Sequence, residues 1–201
     1  MIRAAIFDLG GVVYHTDWDE ADRVWSARLG LAEHGFLTAM FGGNDHGPLI
    51  GAVSVERWWA DVAPKLKTDA DGVRAIREWL DERMTIDHAM AGFIRSLRST
   101  MITAYLSNAW SDTRDWLRRD GLEDVVDHVL LSCELGLAKP DPRIFRLALE
   151  RVGVVPGEAI FVDDSLDNVD AARAVGLETI HHVDLQATVE ALRSLLRPVT
   201  G

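Results

Sequence analysis

Apolar residues recur along this chain in two rhythms. Ile2 to Phe7, interrupted by Arg3 alone, is a short apolar run that predicts a buried strand. Similar runs occupy Met101–Leu106, Val125–Leu131 and Ala159–Val162, and Thr179–His181 reads as a last short strand. Between them the apolar positions take helical spacing. Met90–Leu97 and Asp112–Arg119 read as helices, the second closed by Gly121. Asp141 caps another, with Pro142 at its first position and Gly153 at its end, and Val169–Val175 is closed by Gly176. Strands alternating with helices predict an α/β fold, a doubly wound parallel sheet. From Asp17 to about Thr85 the rhythm is helical throughout: Val24 to Leu29, Phe36 to Phe41, a helix capped by Ser54 that carries Trp58, Trp59 and Val62, and Asp71 to Met84. The chain therefore reads as a core built from residues 1–14 and 86–201, with residues 15–85 inserted as an all-helical cap.

Composition narrows the function. The chain has 201 residues, 48% of them hydrophobic, enough for one core with a small insertion. Its 32 acidic residues against 21 basic ones give a formal charge of −11, which disfavours a nucleic-acid partner. No apolar run approaches the roughly 18 residues of a membrane helix, so no membrane association is expected. The single cysteine, Cys133, cannot form an internal disulfide and suits a reducing cytoplasm. Of the seven tryptophans, five lie between residues 15 and 85, where helix packing accounts for them.

The chemistry sits where the strands stop. The first ends at Asp8, the second at Ser107 and the fourth at Asp163–Asp164, while Lys139 precedes the helix that follows the third. In an open α/β sheet the carboxyl ends of parallel strands share one edge, where ligands bind. Taken singly, these residues have plain explanations: a serine turns a chain, a lysine is solvated, and an Asp-Asp pair favours a helix dipole. Together they put three carboxylates, a hydroxyl and an ammonium on one edge, and a hard divalent cation such as Mg²⁺ relieves the repulsion among the acids.

Four motifs in order, "FDLGG", "LSN", "LAKPDP" with "RIF", and "FVDDSLDNVDAARAVG", make the chain similar to the haloacid dehalogenase superfamily of hydrolases, in the subclass with a helical cap after the first motif. The resemblance implies that Asp8 is a nucleophile attacking phosphorus to form an aspartyl-phosphate. It implies a Mg²⁺ held by Asp8, the Gly10 carbonyl, Asp163 and Asp164. Ser107 and Asn108 would contact the phosphoryl oxygens, and Lys139 would neutralise the developing charge. The expected partner is a small phosphorylated metabolite and the expected assembly a monomer or homodimer.

One departure from the pattern matters. Most phosphatases of this family carry a second Asp two residues after the nucleophile, to protonate the leaving alcohol; here Gly10 occupies that place. The resemblance runs to sugar-1-phosphate phosphatase-like members with "DLGGV" or "DLGNV", whose leaving groups need little protonation. Two alternatives stay open: a non-catalytic homologue that binds a phosphometabolite or a protein, and a 2-haloacid dehalogenase. Gly10 is read as permitting a tight turn. Tyr14, His15, Trp110 and Asn168 are secondary candidates for the pocket, and Asn44, Asp45 and His46 for substrate contacts.

Overall fold

The apolar runs form a five-stranded parallel sheet in the computed structural model, which describes residues 1–42 and 47–196. Asn44, Asp45 and His46 lie outside the described residues. The strands are β1 (Ala4–Phe7), β2 (Tyr14–His15), β3 (Thr85–Ile86), β4 (Ile102–Ser107), β5 (His128–Leu131), β6 (Ala159–Asp163) and β7 (Glu178–His181). The main sheet has the order β5-β4-β1-β6-β7. Central β1 is fully buried on both faces, and its register aligns Phe7 with Tyr105 on one side and Val162 on the other.

Alternation along the strands divides the core in two. Ala5, Phe7, Tyr105, Ile160 and Val162 face one cluster; Ala4, Ile6, Ala104, Leu106 and Phe161 face the other. The first cluster is covered by α5 (His88–Leu97), α6 (Thr113–Arg119) and α10 (Leu185–Leu196), the second by α8 (Pro142–Val152) and α9 (Leu166–Val175). A one-turn helix, α7 (Ser132–Leu135), follows β5. Helices on both faces make the sheet doubly wound.

Between β2 and β3 lie α1 (Trp18–Arg28), α2 (Gly35–Phe41), α3 (Val55–Val62) and α4 (Ala70–Arg83). They bury a third cluster, with Trp25, Trp58, Trp59, Trp79, Phe36 and Ile76 at its centre. Ser54, Asp69 and Asp17 cap α3, α4 and α1, each accepting a backbone N–H three residues on. Trp18 departs from the packing role, standing 38% exposed against Phe41.

Three features differ from the sequence reading. The run Val125–Leu131 becomes a 3₁₀ turn over Glu123–Val125 and a strand that starts at His128. Asp127 accounts for the break: its carboxylate accepts the Thr103 N–H at 2.9 Å and turns the chain into the sheet. The chain also leaves and re-enters the core through a two-residue antiparallel pair, Tyr14 with Ile86 and His15 with Thr85, too short to carry a periodic signal. Helix α10 was not anticipated; it packs Leu192 on the first cluster. No helix among the described residues is long and apolar enough to cross a membrane.

Ile76, fully buried in the third cluster, tests its weight. Ile76→Ala is expected to lower unfolding free energy by about 3 kcal/mol through lost transfer and an unfilled cavity. Urea denaturation checks it; a loss below about 1 kcal/mol would mean the helical layer is loosely packed.

Candidate active site

Parallel register creates the site. Asp8 follows β1 directly, Ser107 ends β4 and Asp163 ends β6, so three neighbouring strands deliver polar side chains to one edge. Asp8 (7% exposed), Ser107 and Lys139 (4% each) and Asp163 (0%) are all buried there. Lys139 Nζ lies 2.9 Å from Asp8 Oδ2 and 2.6 Å from Asp163 Oδ2, bridging two strand ends with one ammonium.

The supporting hydrogen bonds fix each group. Asp8 Oδ1 accepts the Leu9 N–H at 2.7 Å. Asp163 accepts the Ser165 N–H at 2.8 Å and the Asn168 amide on both carboxylate oxygens, at 3.1 and 3.2 Å. Asn108 holds the Lys139 backbone from both sides: its Nδ2 donates to the Lys139 carbonyl at 2.8 Å, and the Lys139 N–H donates to its Oδ1 at 2.7 Å. The Asn108 side chain is thus committed to positioning Lys139, which leaves its main chain to face any ligand.

Asp8, Asp163 and Asp164 bring carboxylate oxygens within 4.8 Å of one another. Burial, the larger effect, and the Asp163 charge push the Asp8 carboxyl up to about 6, while Lys139 and the Ser107 hydroxyl pull it down. Burial and Asp163 also raise Asp164. One ammonium among three carboxylates leaves negative charge uncompensated, and an all-oxygen donor set suits a hard cation such as Mg²⁺. The backbone is shaped for this crowding: Gly11 has φ +72°, and a Cβ there would land on the Asp164 carboxylate. The left-handed turn therefore belongs to Gly11 and not to Gly10, a correction to the sequence reading. Gly10 has an ordinary φ, and a Cβ built on it meets nothing within 4 Å.

A cavity of about 660 Å³ opens between this edge and the helical insertion. Gly10, Ser107, Asn108 and Asp164 line its core side, as do Tyr14, His15 and Trp110. Trp110 continues from the β4 loop into the third cluster, with ring centroids 4.7 Å from Trp58 and 6.3 Å from Trp59. Ion pairs also cross the gap, Arg77 to Asp112 at 3.0 Å and Arg119 to Asp81 at 2.9 Å. Sequence reasoning missed Arg77, Arg119 and Trp116 as cavity residues, because helical patterning does not say which polar face meets another element. It named Asn168 weakly; the signal was its place in the first turn after the Asp163–Asp164 pair. Tyr14 turns its hydroxyl to Asp120 at 2.8 Å. Adjacent His181 and His182 part, one to the Asp164 carbonyl (2.9 Å) and one to the Thr188 hydroxyl (2.8 Å). Cys133 is half-buried, and burial raises its thiol, so it is no activated nucleophile.

Comparison with known proteins gives the family. Residues 2–176 match the family model for haloacid dehalogenase-like hydrolases. Acyl-CoA dehydrogenase family member 10 of Mus musculus is 30% identical over 206 residues, covering 96% of this chain but 19% of the mouse protein. The chain thus spans about a fifth of that relative's length. D-ribitol-5-phosphate phosphatase of Bacteroides thetaiotaomicron is 29% identical over 192 residues, 89% of this chain and 91% of the relative. A haloacid dehalogenase family enzyme from the same organism, solved with magnesium and inorganic phosphate, superposes with a TM-score of 0.77 at 21% identity, covering 94% of this chain and 99% of the other. The chain belongs to the haloacid dehalogenase-like hydrolases.

Lys139→Met leaves Asp8 and Asp163 facing each other without their shared cation. Removing one partner of a buried pair costs about 3–5 kcal/mol, so the variant should unfold at lower urea than wild type at neutral pH. The deficit should depend on pH. Asp8 is already raised in the folded protein, and without Lys139 it rises further. A carboxyl raised on folding contributes stability that is fully present below its unfolded pKa, about 3.9, and is lost as pH rises through the folded value. Urea midpoints should therefore separate more at pH 8 than at pH 5; equal separations would exclude carboxylate repulsion as the cause.

Proposed function

We propose that this chain is a Mg²⁺-dependent phosphatase of small phosphate esters that works through an aspartyl-phosphate on Asp8. The observation that carries the reading is Asp8 itself: buried at the head of the central strand, held by Leu9 and Lys139, on the edge shared with Ser107 and a cavity large enough for an organic ester. The phosphatase name and the magnesium–phosphate complex among its relatives support it.

Asp8, Asp164, Asp163 and the Gly10 carbonyl would hold the Mg²⁺. When bound, the ion supplies positive charge that offsets the clustered acids and the phosphoryl oxygens. In this reading the Asp8 carboxylate oxygen attacks phosphorus. Lys139, already against Asp8, neutralises charge as it builds, and Ser107 with the main chain at Asn108 binds the phosphoryl oxygens. Asn108 and Asn168 are positioning residues, one for Lys139 and one for Asp163. The helices of residues 15–85 act as a cap that excludes water from the cavity.

With Gly10 where a second acid would stand, the preferred esters are those whose leaving group departs unprotonated. Anomeric sugar phosphates and esters of phenols are two such classes. Halide displacement from carbon, the dehalogenase alternative, would not need three clustered carboxylates.

Phosphate release from a panel of esters, with Mg²⁺ and with chelator, tests the reading. Turnover should require the metal and fall to background in Asp8→Asn. Activity that survives Asp8→Asn, or halide release from 2-haloacids without phosphate release, would overturn it. A second expectation follows from the open space at Gly10. Gly10→Asp should fit without strain and raise turnover of alkyl phosphates by about 10²-fold, the usual worth of a positioned acid. Unchanged alkyl turnover would mean that another cavity group already performs the proton transfer.

A further inference from the structure

The cavity is large compared with one phosphoryl group, and its walls are unevenly furnished. Trp18, Phe41, Trp59, Trp110 and Trp116 line it, with Leu80 and Met84 beside them. Trp18 and Phe41 stand 38% and 50% exposed in an edge-to-face pair with centroids 5.3 Å apart. Two large exposed aromatics at a cavity mouth present apolar area that a ligand can cover.

The charged groups offer little to a polar leaving group. Arg77 is paired with Asp112, and Arg119 with both Asp81 and Asp120. Glu78, Asp81 and Asp112 add negative charge to the same walls. Both arginines that line the cavity are thus already paired with carboxylates. The Tyr14 hydroxyl is engaged by Asp120 and the Asn108 amide by Lys139, so the polar side chains left at the wall, His15, Thr16 and Glu78 among them, stand beside five aromatic rings. A planar ring covers more of this aromatic area than a polyol of the same size.

We propose that the ester taken here is the phosphate monoester of a phenol or a comparable planar aromatic alcohol, the ring lying against the tryptophan wall. This deepens the phosphatase reading and rests on it. The class also answers the glycine at position 10, because a phenol ionises near pKa 10, about the value of tyrosine, and departs as the anion. The chemistry balances: the Asp8 oxygen bonds to phosphorus as the P–O bond to the ring breaks, and the aryl oxygen leaves with the electron pair and takes a proton from solvent. Water then adds to phosphorus, the Asp8 carboxylate is released, and inorganic phosphate departs. No oxidant, reductant or further reactant is needed.

Phosphonates separate ring recognition from leaving-group ability, because their P–C bond does not break. Calorimetry on the Mg²⁺-loaded chain would compare methylphosphonate, (1-naphthylmethyl)phosphonate, octylphosphonate and the methylene phosphonate isostere of glucose 1-phosphate. The naphthyl compound is expected to bind about 30-fold more tightly than methylphosphonate, the worth of burying a ring. That gain should shrink about tenfold in Trp18→Ala, with methylphosphonate affinity unchanged. Equal or better affinity for the sugar isostere or for the octyl chain would overturn the aromatic assignment while leaving the phosphatase reading intact. If neither methylphosphonate nor inorganic phosphate binds and no ester turns over, the phosphatase reading and this inference fall together.

Discussion

One ammonium holds the functional edge of this molecule together. A parallel sheet sends every strand's carboxyl end the same way, and here the two central strand ends both carry aspartate. Asp8 and Asp163 would repel each other in a setting that water hardly reaches. Lys139, with its side chain fully buried, sits within salt-bridge distance of both. Its position is imposed from below by Asn108, which clamps the Lys139 backbone with a reciprocal pair of hydrogen bonds. Strand β4 therefore contributes the serine and also, one residue later, the group that places the lysine. The same arrangement leaves Asp164 without an equivalent cation, and the three clustered carboxylates could hold a divalent ion.

The two glycines after Asp8 divide the work differently from a first reading of "DLGG". Gly11 bears the conformational demand: its left-handed backbone turns the chain toward Tyr14, whose carbonyl accepts the Gly11 N–H at 2.8 Å. It also vacates the volume that the Asp164 carboxylate fills. Gly10 bears neither burden, since its backbone is one that any residue adopts and nothing crowds its Cβ direction. The absence of an acid there is thus a chemical choice and not a steric one. In the proposed reaction it would leave departure of the leaving group to the substrate's own chemistry.

The strand ends were readable because the chemistry lies at points where an apolar run stops. Asp8, Ser107 and Asp163–Asp164 are each the first polar residues after such a run, and parallel topology then forces them together. The four helices between residues 15 and 85 were readable for a similar reason, since a regular apolar face marks them locally and Ser54 caps α3. What escaped detection was relational. A two-residue pair such as Tyr14–His15 with Thr85–Ile86 has no period. The amide of Asn108 gains its meaning from a lysine 31 residues away, and Arg77 from an aspartate on another helix. Such partners are set by how faces dock, which no single segment encodes.

Trp110 is where docking and chemistry meet. It lies three residues beyond Ser107, on the loop that follows β4, yet its ring packs among the tryptophans of the helical insertion. The Val55 N–H, at the start of α3, donates to Ser111 beside it, and the Asp112 carboxylate receives Arg77 from α4. Three successive residues of one core loop thus hold the helical layer by an aromatic contact, a hydrogen bond and an ion pair. Any shift of α3 and α4 relative to the sheet must pull on this loop, and through Asn108 on Lys139. The tryptophan wall of the cavity and Lys139 are in this way joined through one loop.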